Sequence, residues 1–126
     1  MAIEFTEGMY FITFTCQHWL PLFELTNSYN SVYKWFDYLQ AKGHNVKGYV
    51  IMPNHLHALI DFGVSEKSIN TIVSNGKRFI AYKIVERLKE QNNQKYFCNY
   101  QKPLLFLIRI KAKFIRYLKG HLIVRK

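Results

Sequence analysis

The sequence has few cysteines and few prolines, and it has no long hydrophobic run. Cys16 and Cys98 are the two cysteines and no CxxC pair is present, which disfavours a disulfide framework and predicts free thiols in a reducing compartment. No segment approaches the roughly 20 apolar residues that a membrane helix needs. The N-terminus lacks the basic and then apolar segment of a secretory signal. We therefore expect a cytoplasmic protein that does not associate with membranes.

Acidic residues are missing from the last part of the chain. The sequence contains 18 Lys and Arg against 8 Asp and Glu, a formal net charge of +10, and no acid follows Glu90. Nine basic residues lie in that acid-free segment: Lys95, Lys102, Arg109, Lys111, Lys113, Arg116, Lys119, Arg125 and Lys126. Such a patch indicates a polyanionic partner, although charge alone does not distinguish DNA, RNA and anionic lipid.

The hydrophobic pattern predicts an α+β fold in a single domain spanning residues 1–126. Hydrophobic residues make up 49% of the 126, which is enough for a core. Alternation at period 2 indicates strands and apolar spacing near 3.6 indicates helices. The resulting order is strand 9–17, helix 29–39, strands 45–52 and 55–62, helix 69–88, strand 104–110 and a short C-terminal helix 111–119. This order is the ferredoxin-like βαββαβ plan, an antiparallel sheet with two helices on one face.

Three residues carry structural expectations of their own. Gly76 lies inside the second predicted helix, where it either weakens the helix or permits close packing. Trp19 and Trp35 are expected to be buried.

His55 and His57 form the pattern with the clearest chemical meaning. Residues i and i+2 of a strand point to one face, so the two imidazoles are expected side by side, with Leu56 turned into the core. Two imidazoles on one face suit a single divalent metal in an open, catalytic site. Asp61 lies in register with them but fits a strand-end charge better than a third ligand, and His18 and His44 fit packing or surface roles.

The segment around these histidines resembles a known family. Gly48-Tyr49-Val50-Ile51-Met52-Pro53-Asn54-His55-Leu56-His57 is similar, without a gap, to the HUH motif of single-tyrosine transposases of insertion sequences, and most similar to the REP-associated tyrosine transposases. Residues 10–14 and 77–83 also resemble family segments. The resemblance covers roughly residues 9–90, and the part of the chain from about residue 97 diverges from the family or is truncated.

The resemblance implies an activity and a set of partners. Family members share the ferredoxin-like core, use Mg or Mn, and cut single-stranded or hairpin DNA by attack of a tyrosine, which leaves a 5′-phosphotyrosine link. Many are homodimers. By position, the implied nucleophile is Tyr117 on a late helix, with His121 one turn later as a further metal ligand. Against Tyr117, the Asn-Pro that follows the tyrosine in relatives is missing here. Tyr82 is a competing candidate for the nucleophile.

Two other functions remain open at the level of sequence. The divergent C-terminal part leaves a non-catalytic nucleic-acid-binding remnant on the same fold as one alternative. A metal-dependent phosphodiesterase that uses water as the nucleophile is the other. The candidate DNA contacts are Lys77, Arg78, Lys83, Arg109, Lys111, Lys113, Arg116 and Lys119. Tyr96 and Tyr100, beside Lys95 and Lys102, are candidates for stacking on unpaired bases.

Overall fold

A computed structural model describes residues 7–91, 110–118 and 121–125, with the backbone alone at Phe114, 116–118 and 121–125. A short turn at Gln17–Trp19 follows the first strand. The strands are β1 (Gly8–Cys16), β2 (Asn45–Met52), β3 (His55–Phe62), β4 (Ile110–Leu118) and β5 (His121–Arg125), and the helices are α1 (Leu22–Leu25), α2 (Tyr29–Ala41) and α3 (Ile69–Glu90).

The described strands form one sheet in the order β2-β3-β1-β4-β5, and every neighbouring pair is antiparallel. The first four strands have the ferredoxin-like order, in which β3 lies between β1 and β2 and β4 pairs with the other edge of β1. The predicted α+β class and βαββαβ plan are therefore confirmed. β5 adds a fifth strand through a hairpin with β4.

The C-terminal helix predicted at residues 111–119 is wrong. Ile110–Leu118 is strand β4, so the last core strand follows the predicted position 104–110 instead of coinciding with it, and residues 104–109 lie outside the described part. Phe114, Ile115 and Leu118 also fit a helical spacing, but the alternation of Ile110 and Ala112 with exposed Lys111 and Lys113 has period 2. Pairing with β1 supplies the backbone hydrogen bonds that favour a strand over a helix in this segment.

The core lies between the sheet and the helices α2 and α3. Even-numbered residues of β1 from Tyr10 onward, and of β3, are buried there, with Tyr10, Ile12 and Phe14 facing the helices alongside Leu56 and Ile60. Cys16 belongs to this layer as a free thiol, and burial raises its pKa to about 11. No helix in the described ranges is both long and apolar enough to cross a membrane.

α3 begins at a side-chain cap and contacts α2 at a glycine. Ser68 is the N-cap, and its hydroxyl accepts a hydrogen bond from the Thr71 N–H at 3.2 Å. Gly76 is buried against the indole of Trp35, and a Cβ atom at this position would overlap that ring. Of the two roles open for Gly76, the structure shows close packing. Trp35 is buried, as predicted.

Candidate functional site

The two histidines lie on the face of the sheet that the helices leave uncovered. Thr13 of β1 pairs with His57 on one side and with Lys113 on the other, and Thr15 pairs with His55 and Lys111. Residues paired across a sheet point to the same face. The open face therefore carries two imidazoles, two hydroxyls and two lysines in adjacent rows, as the alternation of residues in β3 predicts.

His55 is fixed by the turn that precedes it. Its Nδ1–H donates to Asn54 Oδ1 at 2.7 Å, and because a side-chain carbonyl only accepts, Nε2 keeps its lone pair. The turn itself is held by two backbone bonds, from the Cys16 N–H to Asn54 O at 2.9 Å and from the Phe23 N–H to Pro53 O at 3.0 Å. His55 is thus presented in the tautomer that a metal ligand requires.

His57 is held by side chains of β1. Its Nδ1 is hydrogen-bonded to the Thr13 hydroxyl at 3.0 Å, and its ring stacks on Phe11 with centroids 5.3 Å apart. Partial burial, and secondarily the neighbouring His55, lower the pKa of His57 below its usual value. A lowered pKa favours the neutral imidazole, which is the form that binds metals.

The pair has the donor set of an open metal site. The two rings lie 5.0 Å apart between centroids at an interplanar angle of 71°, and each has its Nδ1 engaged by a neighbouring oxygen. Within the described ranges no third His, Cys, Asp or Glu joins them. Asp61 is four residues further along β3, about 13 Å by strand geometry. Two imidazoles without a further protein ligand leave coordination positions for water and a phosphate oxygen.

The oxygens that orient the two rings carry a testable consequence. Thr13→Val and Asn54→Ala each remove one hydrogen bond to an imidazole Nδ1 without touching Nε2. We expect each variant to bind Mn²⁺ about 10- to 100-fold more weakly, the usual effect of losing an outer partner of a ligating histidine. Isothermal titration with MnCl₂ measures it. Asn45→Ala, an exposed asparagine at the far end of β2, is the control, and equal affinity in all four proteins would contradict the assignment.

Tyr117 and His121 lie away from the histidine pair within one chain. They do not share a helix, since Tyr117 is on β4 opposite Met9, and His121 begins β5 opposite Leu118. Tyr117 is four residues along β1 and two strands across from His57, roughly 16 Å in backbone separation. This separation exceeds the combined reach of a tyrosine and a histidine side chain. His121 lies at the end of the sheet opposite His55.

The candidate DNA contacts fall into two groups. Lys111 and Lys113 are exposed on the open face, in the same rows as the histidines. Lys77, Arg78, Lys83 and Tyr82 lie on α3, on the other side of the sheet, where Lys83 pairs with Glu86 at 3.3 Å. Arg116 lies on β4 opposite Tyr10. Arg109, Lys119, Tyr96 and Tyr100 lie outside the described residues.

A cleft of about 400 Å³ opens beside the histidines, at the end of β1 and β4. Its lining consists of Thr13, Thr15, Cys16, Gln17, His18, Trp19, Lys111, Ala112 and Lys113. Trp19 is 66% exposed, which corrects the expectation that it is buried, and its ring lies edge-on to His55 with centroids 6.2 Å apart. Among the described residues, the cleft is lined by basic, hydroxyl and aromatic groups and by no acid.

Trp19, Asn54 and Thr13 are the residues that sequence reasoning missed at this site. Trp19 follows His18, and both have left-handed backbone angles, with φ of 55° and 60°. Nothing in the hydrophobic pattern indicates such a conformation for residues other than glycine. Asn54 could have been found, because an asparagine directly before a ligating histidine is within reach of its Nδ1. The role of Thr13 could be identified only from the β1–β3 register, which pairs it with His57.

Comparison with solved structures agrees with this architecture. No protein-family profile and no curated protein matches the sequence. A presumed transposase from Deinococcus radiodurans superimposes with a TM-score of 0.58 at 12% identity, covering 90% of this chain and 82% of that one. The chain has a transposase-like fold. A REP-associated tyrosine transposase bound to a REP hairpin gives a TM-score of 0.53 at 14% identity, covering 95% of this chain, which spans 63% of that protein.

Proposed function

We propose that this protein is a DNA transposase of the single-tyrosine HUH type, which binds and cuts single-stranded or hairpin DNA with a divalent metal, Mg or Mn. The observation that carries the proposal is the pair of oriented imidazoles on an open sheet face beside a basic cleft. A structural neighbour with the same fold was solved with a DNA hairpin bound, which supports a DNA partner.

In this proposal, the residues of the site bind the metal, orient its ligands and attract the DNA. His55 and His57 offer two Nε2 lone pairs to the metal, while Asn54 and Thr13 hold the rings in place. A bound divalent cation would polarise a phosphoryl oxygen of the scissile phosphate. Lys111 and Lys113 attract the DNA backbone to the same face.

Covalent catalysis requires a tyrosine that reaches this face. In the proposed reaction the tyrosine hydroxyl loses its proton to water and its oxygen attacks phosphorus. The bond between phosphorus and the 3′ oxygen breaks, and that oxygen takes a proton from water and leaves as a 3′-hydroxyl, so that the phosphodiester energy is conserved in the protein–DNA link. Tyr117 remains the proposed nucleophile. The backbone register separates it from His57 of its own chain, so we propose that a partner subunit in a homodimer supplies it.

Covalent trapping tests this proposal. The protein is incubated with a labelled DNA hairpin and Mn²⁺, and adducts are resolved on a denaturing gel. We expect adducts in the wild type, none in Tyr117→Phe, and normal amounts in Tyr82→Phe, a tyrosine on the helix side of the sheet. Mixing Tyr117→Phe with the His55→Ala/His57→Ala double variant should restore adducts, because each subunit supplies what the other lacks.

The Tyr117 register favours a second candidate function. A chain whose own tyrosine lies roughly 16 Å from the histidines is also consistent with a protein that binds DNA without cutting it. Binding without cleavage in the trapping experiment would establish that function. Cleavage without adducts would instead indicate a phosphodiesterase that uses water.

A further inference from the structure

We propose that Trp19 is a stacking platform for an unpaired nucleobase, and that the cleft between Trp19 and Lys111–Lys113 holds the nucleotide next to the one bound at His55 and His57. The inference rests on the proposed function, because it assumes a single-stranded nucleic acid at the histidine pair. It adds a specific base-binding position on this chain.

The first observation is the way in which Trp19 is presented. A large aromatic side chain that is 66% exposed loses the stabilisation that burial would provide. Two consecutive residues, His18 and Trp19, adopt left-handed backbone angles in the turn that places it there. Strained conformations of this kind persist where the surrounding structure imposes them, and they are concentrated at ligand-binding sites.

The second observation is the position of Trp19 relative to the histidines. Its ring meets His55 edge-on at 6.2 Å, so one face of the indole is not covered by that imidazole. Lys111 is two strands from His55 in the same row of the sheet, about 10 Å away. A strand of nucleic acid whose phosphate lies at the histidines therefore passes the indole and the lysines within one nucleotide or two.

The third observation is the chemistry of the cleft. Lys111 and Lys113 are exposed, and none of the described residues that line the cleft is acidic, which suits phosphates. Gln17 lines it as well, and its Oε1 is buried with no hydrogen-bond partner in the described part of the chain. Cation, aromatic surface and amide together are typical of sites for single-stranded nucleic acid.

Binding to two matched oligonucleotides tests the inference. One is a single-stranded oligo-dT, and the other has the same length and backbone but abasic sites. Trp19→Ala should bind oligo-dT roughly 5- to 150-fold more weakly than the wild type, the range that loss of one base stack produces. Its affinity for the abasic strand should stay unchanged. Trp19→Phe should retain most of the oligo-dT affinity, and Tyr38→Ala, an exposed tyrosine on α2, should retain all of it.

The lysines give the complementary result. Lys111→Gln should weaken binding to both oligonucleotides alike and reduce the slope of log affinity against log salt by about 0.7, the value for one phosphate contact on a single strand. In the wild type, oligo-dT should quench the emission of exposed Trp19 and leave that of buried Trp35 unchanged. The Trp35 emission and the urea midpoint also verify that each variant is folded.

The outcomes separate this inference from the function on which it rests. Equal binding of oligo-dT by Trp19→Ala and the wild type, or an equal loss on the abasic strand, would overturn the stacking role. If the wild type still cuts a hairpin with Mn²⁺ in that case, the proposed function survives without the platform. A wild type that binds neither oligonucleotide and cuts no hairpin would overturn both.

Discussion

Replacing either histidine of the pair should reduce metal-dependent DNA cleavage by at least about 100-fold. His55→Ala and His57→Ala each remove one of the two imidazoles that face the same side of β3. Polarisation of a phosphoryl oxygen contributes several kcal/mol to such reactions, and each 1.36 kcal/mol corresponds to a factor of ten in rate. Cleavage of a labelled hairpin at saturating Mn²⁺ gives the rates.

Asp61→Asn is the matched control for this prediction, because Asp61 lies on the same strand and face as His55 and His57 but four residues beyond His57. We expect it to cleave at the wild-type rate. The histidine variants should also keep their urea midpoint close to that of the wild type, since both rings are only partly buried. Wild-type cleavage by His55→Ala and His57→Ala would show that the reaction does not use this pair.

Gly76→Val should be the most destabilising of the substitutions considered. A Cβ at Gly76 already overlaps the indole of Trp35, and valine adds two methyl groups at the α2–α3 contact. Overpacking of a core costs about 1–3 kcal/mol, and we expect the upper part of that range because the overlap is with ring atoms of a buried indole, not with the end of a flexible side chain. Urea unfolding monitored by circular dichroism measures the loss.

The same helix provides a control and a rescue. Ser74 lies on the exposed side of α3, where an added side chain meets solvent. Ser74→Val should therefore change the free energy of unfolding of the protein by less than about 0.5 kcal/mol. Trp35→Phe should restore part of the stability of Gly76→Val by making room for the methyl groups. Equal stability of Gly76→Val and Ser74→Val would contradict the close packing of α2 on α3.

The fold was predictable where the pattern had one interpretation. Strands β2 and β3 begin and end at the predicted residues, because the Pro53-Asn54 turn separates them and β3 alternates between buried and partly buried residues. The segment after Ile110 was not predictable in the same way. Its apolar residues satisfy both a helical and an extended spacing over nine positions, and the free edge of β1 decides between them. That edge is a long-range property of the fold.

The placement of the two histidines on one face of the sheet was predictable for the same reason. The i, i+2 spacing of His55 and His57 places both on one face, which the structure confirms. The partners that orient them come from β1 and from the turn, and the exposure of Trp19 depends on left-handed angles at two residues that usually avoid them. Contacts between strands and unusual backbone angles have no periodic signature in a sequence.

A crystal structure of the protein with Mn²⁺, recorded at a wavelength where manganese scatters anomalously, tests the central claim most directly. We expect one anomalous peak on the open face of the sheet, within bonding distance of Nε2 of both His55 and His57, with the Nδ1 atoms still bonded to Asn54 and Thr13. A peak elsewhere, or no peak at Mn²⁺ concentrations that support DNA cleavage, would contradict it.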